Sequence, residues 1–131
     1  MKFSFAELLA KLPLPSTDKW PEGIWDITAW KHGTMSLLLF APRGEDYQTP
    51  HAQDELYVII RGQGTLMLEE DQIDFETGDV LFVPACKVHR FVGFSDDLAA
   101  WVVFGGPERG LEPHDSEKSA SHTTRDLERM E

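Results

Sequence analysis

A chain of 131 residues with 41% hydrophobic content can bury one core and is too short for two ordinary domains. Its formal net charge of -11, from 12 basic against 23 acidic residues, repels phosphate backbones and anionic lipid surfaces, so neither nucleic acid nor membrane is an expected partner. A single cysteine excludes an intramolecular disulfide; with no leader-like start and no apolar run long enough to cross a bilayer, the expected location is the cytoplasm.

In chain order, residues 1–23 read as an N-terminal helix and linker. Ser4 and Glu7 have capping-box spacing, Phe5, Leu8, Leu9 and Leu12 recur at helical intervals, and Pro13 stops the run, which predicts a helix over Phe3–Leu12 with Phe3 stapled to Leu8. The linker to Gly23 carries prolines and Trp20, an anchor for the body. Residues 24–107 read as a barrel of about eight short strands. The first two, Ile24–Trp30 and Thr34–Phe40, are joined by a turn at Lys31-His32-Gly33, with His32 solvent-exposed. A polar loop, Pro42–Pro50, leads into His51-Ala-Gln53-Asp54-Glu55-Leu56-Tyr57-Val58-Ile59-Ile60-Arg61-Gly62. Thr65–Leu68 and Gln72–Phe75 follow as a hairpin around Glu69-Glu70-Asp71. Val80–Val83 ends at Pro84, His89 opens the next strand, and Ala99–Phe104 is the last apolar run. Residues 108–131 read as a polar tail whose only large apolar residues are Leu111, Leu127 and Met130, with a weak helix from Thr123 and with His114 and His122 solvated.

Side chains alternate along a strand, so a continuous segment projects His51, Gln53, Glu55, Tyr57 and Ile59 to one face. Closing the sheet into a barrel brings His89 to the same interior. Two imidazoles and one carboxylate suit a divalent first-row metal, whether Fe, Mn, Ni, Zn or Co, and leave positions open for substrate. The competing reading is a hydrogen-bonded polar pair, but a carboxylate among Leu56, Tyr57, Val58, Ile59 and Ile60 is costly to bury without a cation. Tyr57, Phe91 and Trp101 are candidate substrate-lining residues, with a core role as the alternative. Cys86 is read as a small buried hydrophobe rather than a ligand or redox site.

These stretches resemble the two motifs of the cupin superfamily, G-x5-H-x-H-x3-4-E-x6-G and G-x5-P-x-G-x2-H-x3-N. Glu55 and Gly62 fit the end of the first, and His51 stands at its second histidine, with Thr49 at the place of the other. Gly78, Pro84 and His89 fall at the spacing of the second, where Cys86 replaces a glycine and Gly93 an asparagine. The resemblance covers about residues 34–104. It implies an all-β fold, a double-stranded β-helix barrel, with one metal on His51, Glu55 and His89. Gln53 is a candidate fourth group in the place left by Thr49, either as an oxygen ligand or holding bound water.

The resemblance implies a metal-dependent enzyme on a small organic molecule, of dioxygenase or isomerase type; the alternative is a non-catalytic cupin that binds or senses a small ligand. A second titratable group beside the metal would separate the two, and the sequence places only Tyr57 and Gln53 there. The motif strand is apolar on both faces, which points to a homodimer, with the N-terminal helix as the alternative cover.

Overall fold

The structure, a computed structural model, describes residues 1–110. One short helix, α1 (Phe5–Leu9), precedes eight strands: β1 (Asp26–His32), β2 (Met35–Phe40), β3 (Asp54–Arg61), β4 (Gly64–Leu68), β5 (Asp71–Phe75), β6 (Val80–Val83), β7 (His89–Val92) and β8 (Ala99–Gly105). They form a five-stranded sheet in the order β1-β2-β8-β3-β6 and a three-stranded sheet in the order β5-β4-β7, with antiparallel pairing throughout. One core joins the sheets: Phe40, Tyr57, Ile59, Val83, Ala100 and Val102 of the first pack with Leu66, Phe75 and Phe91 of the second. This is the expected all-β double-stranded β-helix barrel. The tail expected over 108–131 lies, from residue 111 onward, outside the described residues.

The phase of each strand follows from β3, which is laddered to β8 on one edge and β6 on the other. Glu55, Tyr57 and Ile59 point inward and are buried, while Leu56 and Val58 point outward and are exposed. Cross-strand partners share a face. Val83, Leu81, Phe104, Val102 and Ala100 therefore face inward with β3, and Phe82, Val80, Val103 and Trp101 face outward with it.

The helix is shorter than its periodicity predicts. Ser4 caps it, its Oγ accepting from Glu7 N–H at 3.2 Å, but beyond Leu9 the bonds Lys11 N–H to Leu8 O and Leu12 N–H to Leu9 O tighten into three-residue turns that run into Pro13. Phe3 packs on Trp30, with ring centroids 6.0 Å apart, and the Arg61 guanidinium lies over the Phe5 ring. The first hairpin is shifted by two residues, because β1 runs through His32 and the chain reverses at Gly33 and Thr34. Ile24 instead makes an isolated bridge with Leu14, which ties the linker to the barrel.

The β3–β4 turn depends on Gly62, whose φ is +99° and at which a Cβ would stand 2.7 Å from the Leu98 Cα. Gly78 has a similar φ of +93° but no atom near its missing Cβ. Gly78→Ala should carry backbone strain alone, about 1–2 kcal/mol, whereas Gly62→Ala adds a steric clash of about 1–3 kcal/mol. Urea unfolding checks this, and equal losses at the two positions would show that the approach to Leu98 is not limiting.

Candidate functional site

The site forms at one end of the barrel, where β3 and β7 begin and β8 ends. Glu55 faces inward beside Val83 and Phe104, and His89 opens β7; each is 3% exposed. His51 reaches them from a bend, because β3 begins only at Asp54. That bend is pinned by the Cys86 N–H, which donates to the His51 carbonyl at 2.7 Å. One ligand atom each from His51, Glu55 and His89 lies within 4.8 Å of the others.

The bend also breaks the alternation that placed Gln53 on the ligand face. Its Nε2 donates to the carbonyls of Thr34 at 2.7 Å and Gly106 at 2.8 Å, so its amide braces the outer loops. The amide at the cluster belongs to Gln48, whose Oε1 lies 3.0 Å from His89 Nε2, 3.1 Å from His51 Nε2 and 3.3 Å from the Tyr57 hydroxyl. Sequence reasoning missed it because Gln48 sits in an irregular loop with no strand period. A local signal was present: Asp46 two residues earlier, whose Oδ1 accepts the Gln48 N–H at 3.1 Å as an Asx turn.

The three expected lining residues separate. Tyr57 lines a cavity of about 300 Å³ that also exposes His51, Glu55 and Gln48. Phe91 lies beneath it in the core, with its ring centroid 4.9 Å from that of Tyr57 and 5.4 Å from those of Phe40 and Phe75. Trp101 belongs to the outward phase of β8, and its neighbours Val102 and Phe104 line the cavity instead. Cys86 is exposed rather than buried, because its φ of +69° adopts the backbone of the motif glycine it replaces and turns the thiol to solvent.

A second residue had escaped notice. Asp26 pairs with Phe40 across β1 and β2, so both face inward, and both line the same cavity as His51 and Glu55. It is the one charged residue on the inward phase at the start of β1.

Burial sets the protonation of these groups, with neighbours adjusting it. His51 is pushed below the ordinary histidine value by burial, against the pull of Glu55. For His89 burial acts the same way, but its contact with Glu55 and its bond to the Lys87 carbonyl outweigh it and raise the value. His89 Nδ1 lies 2.9 Å from that carbonyl, which fixes Nδ1–H in the neutral ring and leaves the Nε2 lone pair facing the cluster. Burial raises the Asp26 carboxyl and lifts the Tyr57 phenol well above its usual range. His89 Nε2 is 3.2 Å from Glu55 Oε1, yet that buried oxygen has no aligned hydrogen-bond donor. An orphaned carboxylate oxygen facing two imidazole nitrogens is a donor set that fits a divalent first-row cation.

With this geometry in place, comparison with known proteins is informative. The cupin-domain family Cupin_2 matches residues 36–105, from β2 through β8. The chain is a cupin. An uncharacterised protein of Streptomyces coelicolor is 40% identical over 76 residues, 56% of this chain and 72% of that one. A cupin-2 domain-containing protein of Shewanella frigidimarina superposes with a TM-score of 0.60 at 12% identity, over 79% of this cupin and 94% of the other. The DMSP lyase of Ruegeria pomeroyi superposes with a TM-score of 0.54 at 20% identity, over 62% of this chain; the match spans 46% of the lyase, about half its length. At these identities the structural likenesses speak for the fold.

If the cluster holds a metal, Glu55→Gln should weaken binding by more than about 100-fold and abolish the rise in melting temperature on adding metal. Without a metal, relief of a buried carboxylate would leave stability unchanged or higher. Acid should also release the ion. Coordination needs a neutral ring, and the raised His89 value lets a proton compete above the ordinary histidine value of 6.5. Release should therefore begin on the neutral side of that value, with His51 contributing only below it; a titration by equilibrium dialysis checks this order.

Proposed function

We propose that this cupin is a metal-dependent enzyme that moves a proton on a small, partly apolar organic molecule, as an isomerase does. The observation that carries the reading is Asp26, a desolvated carboxyl in the same cavity as His51 and Glu55. Of the two reaction types that the cupin motifs imply, isomerase and dioxygenase, only the first makes use of it.

His51, Glu55 and His89 would hold the metal, which when bound supplies a Lewis acid for a substrate oxygen. Leu38, Phe40, Val102 and Phe104 form an apolar wall that orients the carbon skeleton and excludes water. Lys19 and Trp20 line the same cavity from the linker, and Lys19 offers a cation to an acidic substrate. The Asp26 carboxylate takes a proton from the substrate and returns it at the neighbouring carbon. Tyr57 stays protonated through the neutral range and donates from its hydroxyl to a bound oxygen. A module that only binds a ligand has no need of a carboxylate whose burial opposes its own charge.

We also propose a homodimer. Cross-strand register groups Leu56 with Phe82 and Val58 with Val80 on the outer face, all exposed, with Val103 and Trp101 beside them. The helix contacts β2, and β6 is an edge strand. A second copy pairing there would cover an exposed apolar edge. A cytoplasmic location belongs to the same reading. It is supported by the single cysteine, and no described helix is long and apolar enough to cross a membrane.

The test is metal-loaded protein incubated in deuterium oxide with small hydroxy and oxo acids and followed by proton NMR. Deuterium should enter the carbon next to the carbonyl without oxygen uptake, and Asp26→Asn should slow this by about 100-fold or more with metal content intact. Oxygen consumption would favour the dioxygenase reading, and unchanged exchange in Asp26→Asn would remove the carboxyl from the mechanism.

Asp26→Asn should also hold or raise stability at neutral pH. A carboxyl raised by folding keeps its proton more tightly in the native state, so wild-type stability falls as pH rises from the ordinary carboxylate value of 3.8 through the raised one. The asparagine variant should lack that fall. Light scattering of wild type and Phe82→Glu at micromolar concentration tests the dimer, with the variant expected to be monomeric.

A further inference from the structure

We infer that Gln48 is a fourth ligand of the metal centre, its Oε1 taking the place that Thr49 leaves without a histidine, and that buried Asp46 aims it. The inference rests on the metal reading above.

The orientation of the amide is settled by its other end. Gln48 Nε2 donates to Asp46 Oδ2 at 2.6 Å, so the carboxylate accepts from the nitrogen and would repel the oxygen. Asp46 is 2% exposed and is itself fixed from two sides. Its Oδ1 accepts from the Gln48 N–H, and its Oδ2 accepts from the Phe91 N–H of β7 at 2.9 Å. The amide therefore lies between a buried carboxylate and the cluster, and only its oxygen can face the histidines.

The Tyr57 hydroxyl donates to Gln48 Oε1 at 3.3 Å, but the lone pairs of the cluster still outnumber its donors. Gln48 Oε1 and Glu55 Oε1 lie 3.0 Å and 3.2 Å from His89 Nε2, and His51 Nε2 stands 3.1 Å from the same amide oxygen. In the neutral His89 ring the Lys87 carbonyl takes the Nδ1 proton, so none remains on Nε2 to bridge these acceptors. Atoms about 2.1 Å from one ion and at right angles across it stand about 3.0 Å apart. The spacings of Gln48 Oε1 to the two histidines and of Glu55 Oε1 to His89 match the edges of such a coordination shell.

The ligand set becomes two imidazoles, one carboxylate and one neutral amide oxygen. Thr49 is exposed and departs from the cupin motif, but the residue beside it restores a four-donor set with a harder atom.

The experiment loads full-length wild type, Gln48→Met and Gln48→Glu with cobalt(II) and records stoichiometry, affinity and the visible absorption spectrum, with metal-free melting curves as a fold control. Gln48→Met keeps the length but lacks the oxygen, and should bind cobalt about 10–100-fold more weakly with a changed spectrum. Gln48→Glu should bind at least as tightly as wild type. Wild-type affinity and spectrum in Gln48→Met would overturn the assignment while leaving the three-residue centre intact. Absence of cobalt binding by wild type would overturn both. If Gln48→Met melts early without metal, wild type and Gln48→Glu decide: weaker binding by the glutamate variant also counts against ligation.

Discussion

Glu55 is a carboxylate held in the interior by ladders on both edges of its strand, and the mouth of the barrel is arranged around it. The strand cannot slip, because a shift of one residue would expose Tyr57 and Ile59 and bury Leu56 and Val58 in their place. The carboxylate therefore stays almost fully buried, and its environment has to accommodate the charge. Two imidazoles, a phenol and an amide face it from three segments, the loop before β3, β3 itself and β7. That is more polar chemistry than a barrel end needs for packing alone.

The polar shell is layered. Asp46 bonds to Gln48 and to the backbone of Phe91, so the loop before β3 is anchored to β7 in the opposite sheet. This cross-sheet link connects the arm carrying Gln48 to the strand carrying His89. The cluster of tilted and edge-to-face rings of Phe40, Tyr57, Phe75 and Phe91 beneath it gives the polar residues a rigid floor. Rigid support of this kind lets donor atoms be placed with little reorganisation when they act.

What the sequence made legible was whatever has a period or a spacing. Alternation located β3 and the inward side of Glu55 and Tyr57, and turn residues located the other strands to within a few positions. Glu55, His89 and the glycines at 62 and 78 could be placed by distance along the chain. Alternation failed where the backbone stops being a strand: at residues 51–53 it led to Gln53 when the amide in the cluster belongs to Gln48. It failed again where its phase was unanchored, which put Trp101 inside when the inward residues of β8 are Ala100, Val102 and Phe104. Asp26 was illegible for another reason, since its importance lies in a cavity shared with residues from five other strands and loops. Cys86 shows the opposite case, where a backbone conformation is retained although the glycine that usually supplies it is gone.

The turn between β6 and β7 holds both histidines through its main chain, by the Cys86 N–H at the His51 carbonyl and by the Lys87 carbonyl at His89 Nδ1. Neither bond uses a side chain from the turn, and Cys86, Lys87 and Val88 are all exposed. The identities of Lys87 and Val88 are thus uncoupled from the geometry of the cluster they support, while Cys86 is limited to residues that accept its φ of +69°. Selection can change charge and bulk along this rim, and so the traffic into the barrel, without retuning the chemistry below.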